Sequence, residues 1–123
     1  MSGQMKMDEI KNCCNIDLDE ISKLNELLSN SYDELKFNKK TEIFKALSDS
    51  TRLQILSLLK LRDLYVCEIM AVLDKPQSTI SHHLNVLRNA GFIKGHKEGI
   101  WTLYILKNPE ILILIDKLCD PIQ

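Results

Sequence analysis

The stretch Gln77-Ser78-Thr79-Ile80-Ser81-His82-His83-Leu84-Asn85-Val86-Leu87-Arg88-Asn89-Ala90-Gly91 decides the fold. Ile80, Leu84 and Leu87 recur at helical spacing and make a narrow apolar stripe. The opposite face carries Ser78, Ser81, His82, Asn85 and Asn89. Exposed helix surfaces are ordinarily built from Glu and Lys, so a face of hydroxyls and amides calls for another explanation. Short hydrogen-bonding side chains let a helix enter a groove and reach base edges. His83 borders the apolar stripe and reads as a packed, hydrogen-bonded histidine, whereas His82 belongs to the polar face. Gly91 stands where a helix ends on a left-handed residue.

Working upstream, Asp74-Lys75-Pro76 breaks the chain, because proline disfavours helical backbone in the residue before it. Before the break, residues 64–73 predict a short helix buried through Val66, Ile69, Met70 and Leu73, with Cys67 at the flank of that face. Ser48-Asp49-Ser50 caps a helix whose stripe is Leu53, Ile55, Leu56, Leu58 and Leu59. Residues 40–47 predict an amphipathic helix with Ile43, Phe44 and Leu47 on one face, and Ile21, Leu24 and Leu28 predict a first helix ending near Asn30. Downstream, residues 92–97 and 100–106 read as two strands joined by Glu98-Gly99, with Lys94, His96 and Lys97 near the tip. Residues 109–119 start with proline at a first helical position and are apolar nearly all round, which predicts burial against a second subunit.

A chain of 123 residues with 45% hydrophobic and 27% charged residues is about one ordinary globular domain. Residues 1–16 are expected to form a flexible extension holding a cysteine pair, and residues 17–123 a single domain. No apolar run reaches the roughly 20 residues of a membrane span, and residues 1–12 lack the apolar core of a secretory signal, so a cytoplasmic location is expected. There Cys13, Cys14, Cys67 and Cys119 read as thiols, metal ligands or redox groups rather than a disulfide frame. The net charge of −1 conceals a polarity: residues 1–37 carry −4 and residues 75–107 carry +4. A basic stretch interleaved with Ser, Gln, His and Asn suits a polyanion. Phosphate loops and paired-carboxylate motifs are missing, so Cys67 or Cys14 with a histidine base makes a poor enzyme and no catalytic residue is expected.

Helix, helix, break, polar-faced helix and basic hairpin describe a winged helix-turn-helix, mainly α with a small β-hairpin wing. The residues resemble the ArsR/SmtB metalloregulators. Leu47-Ser48-Asp49-Ser50-Thr51-Arg52-Leu53-Gln54-Ile55-Leu56 is similar to that family's opening motif, residues 77–93 to its recognition helix and exit, and Lys97-Glu98-Gly99 with Leu103-Tyr104-Ile105-Leu106 to its wing. The resemblance implies a homodimer built by the N- and C-terminal helices, sitting on a palindromic operator in double-stranded DNA and repressing transcription until an effector releases it. It also implies that Gln77, Ser78, Thr79, Ser81, His82 and Asn85 meet the major groove, while Lys94, His96 and Lys97 meet phosphate or minor groove at the wing.

Effector identity is read from ligand positions. The zinc, nickel and cobalt branch uses histidine on the last helix, and here Asp116 and Asp120 stand without any His after His96. Leu64-Tyr65-Val66-Cys67-Glu68-Ile69 resembles the motif of the arsenic, antimony, cadmium and lead branch, with one thiol where several are usual. Cys13 and Cys14 would then supply the remaining donors, giving with Cys67 the three thiolates that trivalent arsenic or antimony takes. Cadmium or lead, needing a fourth donor, is the alternative, and a thiol-redox switch without metal is another. Cys119 matches no ligand position and is expected to pack.

Overall fold

Ile80, Leu84 and Leu87 keep 0%, 1% and 0% of their surface exposed, so the stripe read from the sequence is the centre of the core. The computed structural model describes residues 15–31 and 34–120. These divide into two units between Lys39 and Lys40. Helix α1, Leu18–Ser31, belongs to the first; helix α2, Glu34–Leu47, brings Ile43, Ala46 and Leu47 to the core of the second. The order continues with α3 (Ser50–Leu61), β1 (Leu64–Tyr65), α4 (Val66–Leu73), α5 (Gln77–Asn89), β2 (Ile93–Glu98), β3 (Trp101–Leu106) and α6 (Pro109–Cys119).

Around the α5 stripe pack Ile55, Leu56 and Leu59 of α3, Ile69 of α4, Phe92 and Ile93 at the entry to β2, and Leu112 of α6. Each fully buried Ile or Leu contributes about 1.5–3 kcal/mol by leaving water, and they converge from four helices and the sheet onto one cluster. Among the described residues, no helix is long and apolar enough to cross a membrane.

Local chemistry sets the ends of the elements. Asp49 accepts the Arg52 backbone N–H at 3.0 Å and so caps α3, and this bond holds its carboxyl below the usual carboxylate range. At the end of α5, Gly91 takes φ +88°, its N–H donates to the Arg88 carbonyl, and the Phe92 N–H reaches back to Leu87 at 3.0 Å. This pair of bonds is a Schellman ending, and it turns Phe92 and Ile93 straight into the core.

The structure corrects several expectations. Residues 64 and 65 are strand rather than helix: Leu64 pairs with Tyr104 and Tyr65 with Leu103, giving a three-stranded antiparallel sheet in the order β1-β3-β2. The helix starts two residues later than expected, at Val66, because Glu68 turns back to accept the Tyr65 N–H at 3.0 Å. The hairpin turn is Gly99-Ile100, with Glu98 and Trp101 paired across it. Gly99 has φ +64° and Ile100 does not share the positive sign, the pattern of a two-residue turn with glycine first. Helix α2 begins at Glu34, six residues before the expected start at residue 40. Phe44 is 69% exposed, and Ala46 takes the buried place beside Ile43 and Leu47. Cys119 is exposed rather than packed, since it lies about 10.5 Å along the helix from Leu112, past the edge of the core.

Candidate nucleic-acid interface

With its stripe buried, α5 presents Gln77, Ser78, His82 and Asn85 to solvent, as the sequence predicts. Ser81 and Thr79 are half-buried and lie on opposite flanks. At about 100° per residue they are separated by some 200° of rotation, so Thr79 shares the side of His83, while Ser81 shares the side of Gln77 and Arg88. Arg88, which the polar pattern of the sequence does not single out, is also exposed along this side of the helix. Its guanidinium donates to the Asn85 side-chain oxygen at 2.9 Å, leaving the Asn85 amide protons directed elsewhere.

The wing stands on the flank of Gln77 and Ser81. Tyr65, Cys67, Met70, Gln77, Ser81 and Trp101 are among the residues lining one cleft of about 440 Å³ between α4, α5 and β3. Lys94, His96 and Lys97 are all exposed on β2. Pairing register separates them: Lys97 lies across from Thr102, while His96 and Lys94 lie across from Leu103 and Ile105 on the other face of the ribbon. The wing therefore carries its lysines on both of its sides.

Two further networks hold α5 and the wing in place. Arg52 donates from Nε to the Ala46 carbonyl at 2.7 Å, from Nη2 to the Lys45 carbonyl at 3.1 Å and from Nη1 to His83 Nδ1 at 3.1 Å. Since guanidinium only donates, His83 Nδ1 accepts and its ring is neutral. The expected packed, hydrogen-bonded His83 is thus present, with only 12% of its side chain exposed. In the second network the Tyr65 hydroxyl donates to the Glu98 carboxylate, tying the wing to the start of α4, and Arg62 pairs with Glu68 beside it. The bond to Glu98 raises the Tyr65 hydroxyl pKa above its ordinary value.

Burial, and secondarily Arg52, pushes the His83 imidazole below its ordinary value of 6.5, against the opposing pull of Asp49. The unfolded chain therefore takes up this proton first as pH falls, and the stability present above 6.5 is lost on the way down to the lowered folded value. Urea unfolding between pH 7 and pH 5.5 should show that loss, and His83→Gln, which keeps an acceptor without a titrating ring, should flatten it. The Asp49 and Glu68 carboxyls, both lowered from values of 3.8 and 4.5, add their own losses only in more acidic solution.

For a soft ion, the described residues offer Cys67, exposed on the first turn of α4, with Met70 one turn on along the same cleft. Among the described residues, no three of His, Cys, Asp and Glu gather into a metal site. Cys13 and Cys14 lie outside the described residues.

Residues 49–94 match the family described as bacterial regulatory protein, arsR family. The chain is 49% identical over 87 residues to a helix-turn-helix-type transcriptional regulator of Methanocaldococcus jannaschii, covering 68% of this chain and 98% of that one. It is 41% identical over 80 residues to the arsenical resistance operon repressor of Escherichia coli, covering 64% and 68% of the two. It is 43% identical over 74 residues to the cadmium resistance regulatory protein of Listeria innocua, covering 59% of this chain and 62% of that protein's length. A homodimeric winged helix-turn-helix DNA-binding domain from Mycobacterium bovis superposes with TM-score 0.67 at 24% identity, over 72% of this chain and 87% of that one, a likeness of fold.

Proposed function

The chain belongs to the arsR family of bacterial regulatory proteins, DNA-binding regulators rather than enzymes, and from that membership we propose that it is a dimeric repressor released from its operator by a soft ion. The observation that carries the DNA part is the exposed face of α5, built of short polar side chains beside a basic wing. Gln77, Ser78, Ser81 and His82 read the major groove, with Asn85 oriented by Arg88 and Thr79 at the far flank. Lys94, His96 and Lys97 hold phosphate or minor groove. A second copy covers the apolar side of α6, where Leu114 and Leu118 are 54% and 72% exposed. Two copies then address a palindrome whose half-sites lie about 34–36 Å apart.

Lys97→Ala should weaken binding to all duplexes alike and lower the slope of log affinity against log salt by about one, because a lysine on phosphate acts through counterion release. Titrating salt against one duplex with both proteins checks it; an unchanged slope removes Lys97 from the backbone contacts.

The inducer reading rests on Cys67, whose thiol opens on the cleft that Gln77 and Ser81 also line. Three thiolates suit trivalent arsenic or antimony, which keeps a lone pair and takes a pyramid of donors. Cys67 with Cys13 and Cys14 makes that set. The 43% likeness to a cadmium regulator favours a second reading, cadmium or lead on the same thiols with a fourth donor. The test is fluorescence anisotropy of reduced protein on its own upstream DNA under arsenite, antimonite, cadmium and zinc in turn. Release by arsenite or antimonite near one equivalent per thiol trio, abolished by Cys67→Ser, is expected. Release by cadmium alone selects the second reading, and release by hydrogen peroxide with no response to any ion replaces both with a thiol-redox switch.

A further inference from the structure

Ile100 and Trp101 stand at the end of the wing, and we infer that this apolar pair wedges into the minor groove of the bound duplex, so that the protein deforms its operator as well as reading it. The inference rests on the DNA-binding reading above. Ile100 keeps 90% of its surface exposed and Trp101 56%, in a turn where glycine or a charged residue would be less costly in water. Both residues line the same cleft as Gln77 and Ser81, so the tip and the reading flank of α5 open onto one space. A duplex seated on that flank therefore meets the tip.

Charge at the tip agrees with this occupant. Glu98, which would repel phosphate, is tied to the Tyr65 hydroxyl, while its neighbour Lys97 is exposed with no acid paired to it across the strand. What projects is a branched alkyl group and an indole, with Lys97 close by on the opposite face of the ribbon. Apolar side chains presented to the minor groove act by parting a base step and kinking the duplex. Pyrimidine–purine steps such as TA and CA yield most easily, so sequence preference would extend to positions that no polar side chain touches.

Trp101 is the only tryptophan of the chain, so its emission reports the tip directly. The probe is a duplex selected by the full-length protein from a random-sequence pool. Saturation with that duplex should quench Trp101 and shield it from acrylamide. Ile100→Ala, a change on the surface, should weaken binding about tenfold with the salt slope unchanged, since an apolar contact releases no counterion. Emission and acrylamide quenching unaltered by saturating duplex, or wild-type affinity in Ile100→Ala, would overturn the wedge and leave the tip for another protein, with DNA binding intact. Selection of no duplex at all would instead overturn the DNA-binding reading, and the wedge with it.

Discussion

Replacing Ser81 and His82 together by alanine is expected to lower affinity for the selected operator about hundredfold or more while leaving binding to unrelated duplexes nearly unchanged. His82 is exposed at the middle of the polar face and Ser81 sits on the flank toward the wing, so together they span the part of α5 that would lie deepest in the groove. Each side chain that reads a base edge discriminates by about 1–3 kcal/mol, and two lost contacts in each protomer exceed what re-packing could restore. The non-specific component survives because Lys94, Lys97 and Arg88 are untouched, and those supply the counterion-release part of the affinity. Folding is not at issue: neither residue belongs to the core cluster, and alanine is the better helix former at both positions. Competition anisotropy, operator against scrambled duplex, reads the ratio. An unchanged ratio would take α5 out of the groove and sink the assignment of its polar face.

That face was legible because it repeats. Ile80, Leu84 and Leu87 fix the orientation of a regular helix, and once the buried side is known every other residue has an angle. The same logic placed His83 at the border of the core and predicted α6 to its terminal residues. It could not find β1, whose two residues carry no period and become strand only because the edge of β3 accepts them. Nor could it find the Arg52–His83 contact, which joins positions 31 apart in the chain, or the bond from Tyr65 to Glu98, 33 apart. Arg52 could be noticed as part of a motif, but its carbonyl partners at the end of α2 appear only when the helices are packed. Separation of Thr79 from Ser81 needed only the helical angle, yet the importance of the Ser81 flank depends on where the wing stands, which is tertiary information. The turn moved by one residue because pairing register, not composition, decides which residues cross over, and that shift is what puts Ile100 at the tip.

Arg52→Met should destabilise the protein by about 2–4 kcal/mol, the second large effect. One guanidinium satisfies the Ala46 and Lys45 carbonyls at the last turn of α2 and the His83 ring on α5, so it fastens α5 to the end of α2. Methionine keeps most of the stem and its packing but leaves two carbonyls and a half-buried imidazole nitrogen without their donor. For a domain of this size that corresponds to roughly 10–20 °C in melting temperature. Arg52→Lys should fall between, because a single ammonium cannot reproduce three bonds set by a planar fork. The diagnostic is a double-mutant cycle with His83→Ala: if Arg52 and His83 act as one unit, the double variant loses less than the sum of the two single losses, with a coupling of about 0.5–3 kcal/mol. Full additivity would mean that packing alone positions His83. A coupled result would also predict that the Met variant loses operator affinity beyond its loss of stability, since His83 shares a helical turn with Ser81 and His82, and loosening it lets the reading face rotate away from the bases.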